Sequence, residues 1–206
     1  MRTRMVTGVL AGLLALTVPV AGVEVLTAKQ ALAKANARVE PPLRDQLIMI
    51  QGDQSDTLLR PRVWDVTLYD ETRPHKACVV RVKDGAAVNV ASGIRMFDGA
   101  RWRRFGRNFT GYVAAEVMDL SRWALDSDKV LAQALHSPKL DGLEVTGVRL
   151  LLRKASDGNV PPLWRVELLA RPKQDPAKER WIGYLEYNAE TGDLLVDELR
   201  VEQFGR

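Results

Sequence analysis

Two segments of this chain, 100 residues apart, follow one pattern: Trp64-Asp65-Val66-Thr67-Leu68 and Trp164-Arg165-Val166-Glu167-Leu168 both read W-x-V-x-L. Each tryptophan stands three residues after a proline, Pro61 or Pro161, and the same offset pairs Lys29 with Lys129 and Leu43 with Leu143. Self-similarity at a fixed spacing constrains the fold more than composition does, because each copy must build the same supersecondary unit.

The elements around the two tryptophans come in the same order. Thr27 precedes an Ala/Leu-rich stretch over 28–37, and Ser127 precedes another over 128–136. A hydroxyl at that position accepts an orphan backbone N–H and opens a helix. An apolar run follows in each half, Leu47-Ile48-Met49-Ile50 or 145–152, and then the tryptophan strand with its period-two alternation. Third strands are expected over 78–83 and 181–187. Each turns at glycine, Asp84-Gly85 or Thr191-Gly192, into a fourth strand over 86–90 or 193–201.

One helix followed by four strands on short turns predicts an α+β fold, a tandem repeat of one helix packed on a four-stranded antiparallel sheet. Alternation points Trp64, Val66, Leu68, Cys78, Val80 and Val82 toward the first helix, and Trp164, Val166 and Leu168 toward the second. The expected division is a signal peptide over 1–22, a first repeat over 23–92, a linking hairpin and strand over 93–126, and a second repeat over 127–206. Asp98-Gly99 centres the hairpin, and 111–120 is read as the added strand.

The leader reading rests on Arg2 and Arg4, an uncharged apolar run from Met5 to Val20, and the small-residue step Val20-Ala21-Gly22. This is the layout of a secretory signal, and the run is short of the roughly 20 residues a spanning helix needs. The expectation is a periplasmic or secreted chain beginning near Val23, not integral to the membrane after processing. Removing two arginines from 30 basic residues against 26 acidic leaves 28 − 26 = +2, too mild a charge to imply nucleic acid. A single cysteine, Cys78, allows no internal disulfide.

The segment 127–199 resembles the PepSY and PepSY-like domains of secreted and membrane-associated bacterial proteins. The resemblance lies in the Ala/Leu-rich opening helix, in Leu163-Trp164-Arg165-Val166-Glu167-Leu168, and in Gly183-Tyr184-Leu185-Glu186-Tyr187-Asn188-Ala189-Glu190-Thr191-Gly192-Asp193-Leu194-Leu195. In that last stretch a strand enters a D-A-x-T-G-x-[VIL] turn, with Asn188 where the family more often has Asp. The first half, 27–90, follows the pattern loosely, with Val82-Lys83-Asp84-Gly85-Ala86-Ala87-Val88 as a shortened turn. The resemblance implies a non-catalytic domain, associated in the family with restraint of extracytoplasmic peptidases.

Chemistry-bearing residues are sparse. His75 and Cys78 lie three apart, but Cys78 falls on an inward strand face, where a buried inert thiol is expected. His136 reads as a helix C-terminal cap. Asp53 with Asp56, and Asp126 with Asp128, lack a calcium-loop layout and read as turn and cap residues. No catalytic residue, cofactor site or metal site is legible. The most unusual composition is Arg101-Trp102-Arg103-Arg104-Phe105-Gly106-Arg107, with Arg95 upstream. Guanidinium groups hold carboxylates or phosphates bidentately and stack on aromatic rings, so Arg95, Arg101, Trp102, Arg103, Arg104, Phe105 and Arg107 are the first candidate binding surface. The exposed sheet faces around Tyr69, Arg165 and Tyr184 are the second. Taken with the resemblance, these features point to an exported protein-binding module with a protein partner, a peptidase being the class that the resemblance implies. The alternative is an envelope protein that holds anionic envelope components through the hairpin.

Overall fold

The computed structural model describes residues 24–55, 59–93, 110–154 and 161–204. Helix α1 spans Ala28–Asn36 and α2 spans Ser127–Leu135. Each buries four residues at i, i+3, i+4 and i+7: Ala28, Ala31, Leu32 and Ala35 in α1, and Ser127, Val130, Leu131 and Ala134 in α2. That spacing draws one stripe down a helix, and its small side chains let the backbone lie close to a sheet. Thr27 caps α1 in a reciprocal box with Gln30. The cap of α2 is Asp126, one residue before the expected Ser127, because the Asp126 carboxylate takes the Ser127 N–H at 2.7 Å. Ser127 instead serves the other helix, its Oγ accepting the Ala28 N–H at 2.9 Å, while Asp126 Oδ1 accepts the Lys29 N–H at 3.2 Å. The two helix N-termini therefore meet around one carboxylate, where the positive ends of both dipoles favour it.

The strands are β1 Leu47–Ser55, β2 Pro61–Tyr69, β3 Ala77–Lys83, β4 Ala86–Ser92, β5 Leu143–Arg153, β6 Leu163–Pro172, β7 Arg180–Asn188 and β8 Leu194–Asp197. The class is α+β, as expected. The strands do not form separate four-stranded sheets; they make one eight-stranded antiparallel sheet in the order β4-β3-β2-β1-β5-β6-β7-β8. The join is β1 against β5, where Ile50 pairs with Leu152, Gln51 with Leu151 and Gly52 with Leu150. An edge left open at β1 or β5 would expose unpaired amides beside apolar residues, and pairing the two removes both edges.

Both helices lie on one face. α1 rests on β2 and β3 and reaches β1 and β4, and α2 rests on β6. The inward residues expected from alternation, Trp64, Val66, Leu68, Cys78, Val80, Val82, Trp164, Val166 and Leu168, are all buried in one core that runs through both sets of strands. Each tryptophan also ties its helix down. The Trp64 indole N–H donates to Leu26 O at 3.1 Å, and that of Trp164 donates to Leu125 O at 2.8 Å, in each case the carbonyl just before the cap residue.

Two expectations are corrected. The segment 111–120 is no strand but carries a 3-10 turn, Ala114–Glu116, and the start of a second, Leu120–Arg122. It holds the sheet end by single hydrogen bonds, Tyr112 N–H to His75 O and Met118 N–H to Leu47 O. Tyr112 is buried with Ile48 and Ala77, whereas Met118 belongs to the helix-side core, so the chain crosses from one face to the other and cannot follow a strand. The last strand ends at Asp197, whose carboxylate accepts the Leu199 N–H at 3.2 Å; beyond it the Glu198 and Arg200 N–H groups still donate to β7, at Tyr184 O and Ile182 O.

Candidate functional site

The sheet face away from the helices gathers polar groups from seven of the eight strands, β8 adding only Val196. Successive cross-strand pairs put Asn89, Arg81, Asp65, Gln51, Leu151, Arg165, Glu186 and Val196 in one row. Period two sends these residues to the side opposite the tryptophans. Arg81 grips Asp65 through two hydrogen bonds of 2.8 and 2.7 Å, a bidentate pair on a carboxylate that is only 4% exposed. Glu186 is held by Arg165 at 2.7 Å and by Arg153 at 3.4 Å.

Beside this row, Arg149, Glu167 and Tyr184 are neighbours across β5, β6 and β7. Arg149 reaches Asp53 at 3.4 Å and lies over the Trp181 ring, 4.4 Å from its centroid. Arg165 lies over Tyr184 at 4.0 Å. Two cation–π stacks therefore flank Glu167, and Trp181 stays 40% exposed. Burial pushes the Glu167 carboxyl above its ordinary value, against the pull of Arg149 and Arg165 and with a small push from Asp53. This set offers flat aromatic area, fixed guanidinium groups and an acid with spare acceptor capacity. It suits recognition of a polar partner surface.

Of the second candidate surface, Arg165 and Tyr184 are brought together here, while Tyr69 packs with the Tyr112 cluster elsewhere on the same face. The first candidate set, Arg95, Arg101, Trp102, Arg103, Arg104, Phe105 and Arg107, lies outside the described residues, as do 1–22 and Asp56. Arg149, Glu167 and Trp181 are not legible as a site in the sequence. Their signal was the charged outward positions of Trp164-Arg165-Val166-Glu167-Leu168, but which strands would lie beside them depended on the β1–β5 join.

The remaining candidates fall into structural roles. Cys78 is fully buried, and burial pushes its thiol up against a weaker opposing pull from Arg73. His136 is the C-cap of α2, with Nδ1 2.6 Å from Ala132 O. Asp53 pairs with Arg149 and Asp126 caps α2. Among the described residues no cluster of His, Cys, Asp and Glu could hold a metal ion, and no helix is long and apolar enough to cross a membrane. A cleft of about 500 Å³ at the end of α2 has walls of Leu59, Leu135, Leu140 and Leu143 and a polar rim of His136, Asp141 and Lys173.

No protein family, curated protein or solved structure matches the chain.

Proposed function

We propose that this chain is a non-catalytic protein-binding module, exported from the cytoplasm and built as a tandem pair of PepSY-like units, that captures its partner on the helix-free sheet face. The partner class that the resemblance implies is an extracytoplasmic peptidase, held in check by occupation of its surface. The observation that carries the reading is the Arg149–Trp181 and Arg165–Tyr184 pair of stacks around Glu167 on the helix-free face of the continuous sheet. Tandem construction is supported by the join itself. In the β1–β5 register Ile50 faces Leu152 and Gly52 faces Leu150, so a shift of 100 residues maps the seam onto itself. That is the behaviour of two equivalent units meeting across a local two-fold axis. The envelope-binding alternative rests on the arginines between 95 and 107.

The test is site-specific photo-cross-linking from position 181 on the sheet face and from Gln133 on α2, followed by binding to the partner so identified. A single protein captured from position 181 and not from 133 is expected. Trp181→Ala with Tyr184→Ala should then weaken that binding about thirtyfold, the effect of losing an aromatic anchor worth about 2 kcal/mol, without shifting the melting curve. Capture only through the helix side, or binding untouched by the double variant, overturns the reading.

A further inference from the structure

The sheet ends in two strands that hold matching places and are defended differently. β8 is short, and the chain from 193 to 202 that forms and follows it carries Asp193, Asp197, Glu198, Arg200 and Glu202. β4 reads Ala86-Ala87-Val88-Asn89-Val90-Ala91-Ser92, with no charge and no proline, and Val88 is 54% exposed. An edge of this kind is a template for pairing, which proteins ordinarily blunt with charge, proline, brevity or a bulge. Of these devices β4 has only the bulge, where Arg81 pairs with Asn89 and Val82 with Ala87, leaving Val88 over. Past the bulge the ladder is regular. The Gly93 N–H donates to Ala77 O at 2.9 Å, so the odd-numbered residues 89 and 91 face β3. Val90 and Ser92 accordingly turn their amides and carbonyls away from it, and no described strand pairs with that side.

We propose that β4 is a dimerisation seam on which a second copy of this chain lays its own β4 antiparallel. Charge argues for that occupant. Pairing across a two-fold axis sets a strand against itself, which any fixed charge near its centre would oppose, and β4 has none. Pairing β4 with β8 of another copy would be head-to-tail and could extend without closing. Pairing β4 with β4 closes at two chains and, among the described strands, leaves the charged β8 strands at the outer edges of the joined sheet. A seam of seven residues is small beside the roughly 1,200–2,000 Å² of a stable interface, so the dimer assembles reversibly, at micromolar or higher concentration.

Sedimentation equilibrium of the purified chain across a concentration series tests this, with Asn89→Lys and Asn89→Glu as variants at an exposed position. The mean mass of the unaltered chain should rise from one chain of 23.0 kDa toward two and stop there. Each variant should associate at least tenfold more weakly, and an equimolar mixture of the two should regain association, because lysine then meets glutamate. Ser92→Pro, which removes an outward amide and leaves the β3 ladder intact, decides the matter should a charged variant melt early. A chain monomeric at every concentration, a dimer indifferent to all three variants, or growth beyond two chains overturns the proposal.

Discussion

The first four strands and the last four share a frame but fill it differently around their tryptophans. Trp64 lies across from Gly52, and a Cβ there would come within 2.6 Å of its ring. Trp164 lies across from Leu152 and meets a second tryptophan edge-on, Trp123, at 6.1 Å between centroids. Leu125 O accepts the indole N–H of both Trp123 and Trp164, each at 2.8 Å. One region seats its large ring by deleting a neighbour's side chain; the other seats it among further large residues. The same topology therefore tolerates two packings, and what is held in common is the burial of the ring and its bond to the chain before the helix.

The largest effects should come from these rings. Trp64→Ala and Trp164→Ala should each cost about 3–5 kcal/mol in urea unfolding, as removal of a buried aromatic side chain does. The second substitution separates the regions. Gly52→Ala alone should cost about 1–3 kcal/mol by overpacking, and in the Trp64→Ala background it should cost clearly less, since the clash with the ring is gone and only Pro61 Cγ, 2.8 Å from the new methyl, still has to give. Leu152→Ala in the Trp164→Ala background should only enlarge the void and lower stability further. If Gly52→Ala costs the same in both backgrounds, the close approach of Gly52 and Trp64 has no energetic meaning and the comparison fails.

The W-x-V-x-L pattern made much of this legible. Alternation assigned the inward residues of β2, β3 and β6, and the helices start within one residue of their expected caps. What local pattern could not show was the pairing of β1 with β5. Gln51 and Leu151 are far apart in the chain, and nothing in either strand marks the other as its neighbour. The helix-free site inherits that gap. Arg149 on β5 and Trp181 on β7 meet across β6, so their contact depends on strand order, while the Arg101–Arg107 cluster drew notice because its residues are adjacent in sequence.

A smaller effect distinguishes the charge clusters. Arg81 supplies two hydrogen bonds to Asp65, whereas Glu186 is shared by Arg165 and Arg153. Arg81→Ala should cost about 1.5–3 kcal/mol, the range for hydrogen bonds to a charged group. Arg165→Ala should cost less, because Arg153 still holds Glu186. Denaturant midpoints of the two variants, and of Arg165→Ala with Arg153→Ala, rank these contributions. Equal losses from Arg81→Ala and Arg165→Ala would mean that the second arginine provides no redundancy.

The smallest effect, and the one that separates the regions by sign, is the response to pH. Asp70, at the end of β2, is buried, which alone would raise its carboxyl. Bonds from the Thr72 N–H at 3.1 Å, the Thr72 hydroxyl at 2.6 Å and Arg73 Nε at 2.7 Å outweigh this and hold it below the ordinary 3.8. Glu167 on β6 shifts the other way, above 4.5, because burial prevails over Arg149 and Arg165. A group depressed on folding stabilises the fold above its unfolded value, and that contribution is lost as pH falls below 3.8 toward the folded value. A raised acid does the reverse: its contribution is complete below 4.5 and is lost as pH rises through the folded value. Urea midpoints measured from about pH 3 to pH 8 should therefore change in two ways upon substitution. Asp70→Asn should flatten the acid limb. Glu167→Gln should remove the decline just above 4.5 and leave the protein more stable than the unaltered chain at neutral pH. A Glu167→Gln protein less stable at neutral pH would instead make that carboxylate a structural partner of its flanking arginines, and the sheet face would lose the acid with spare acceptor capacity on which its reading as a recognition surface draws.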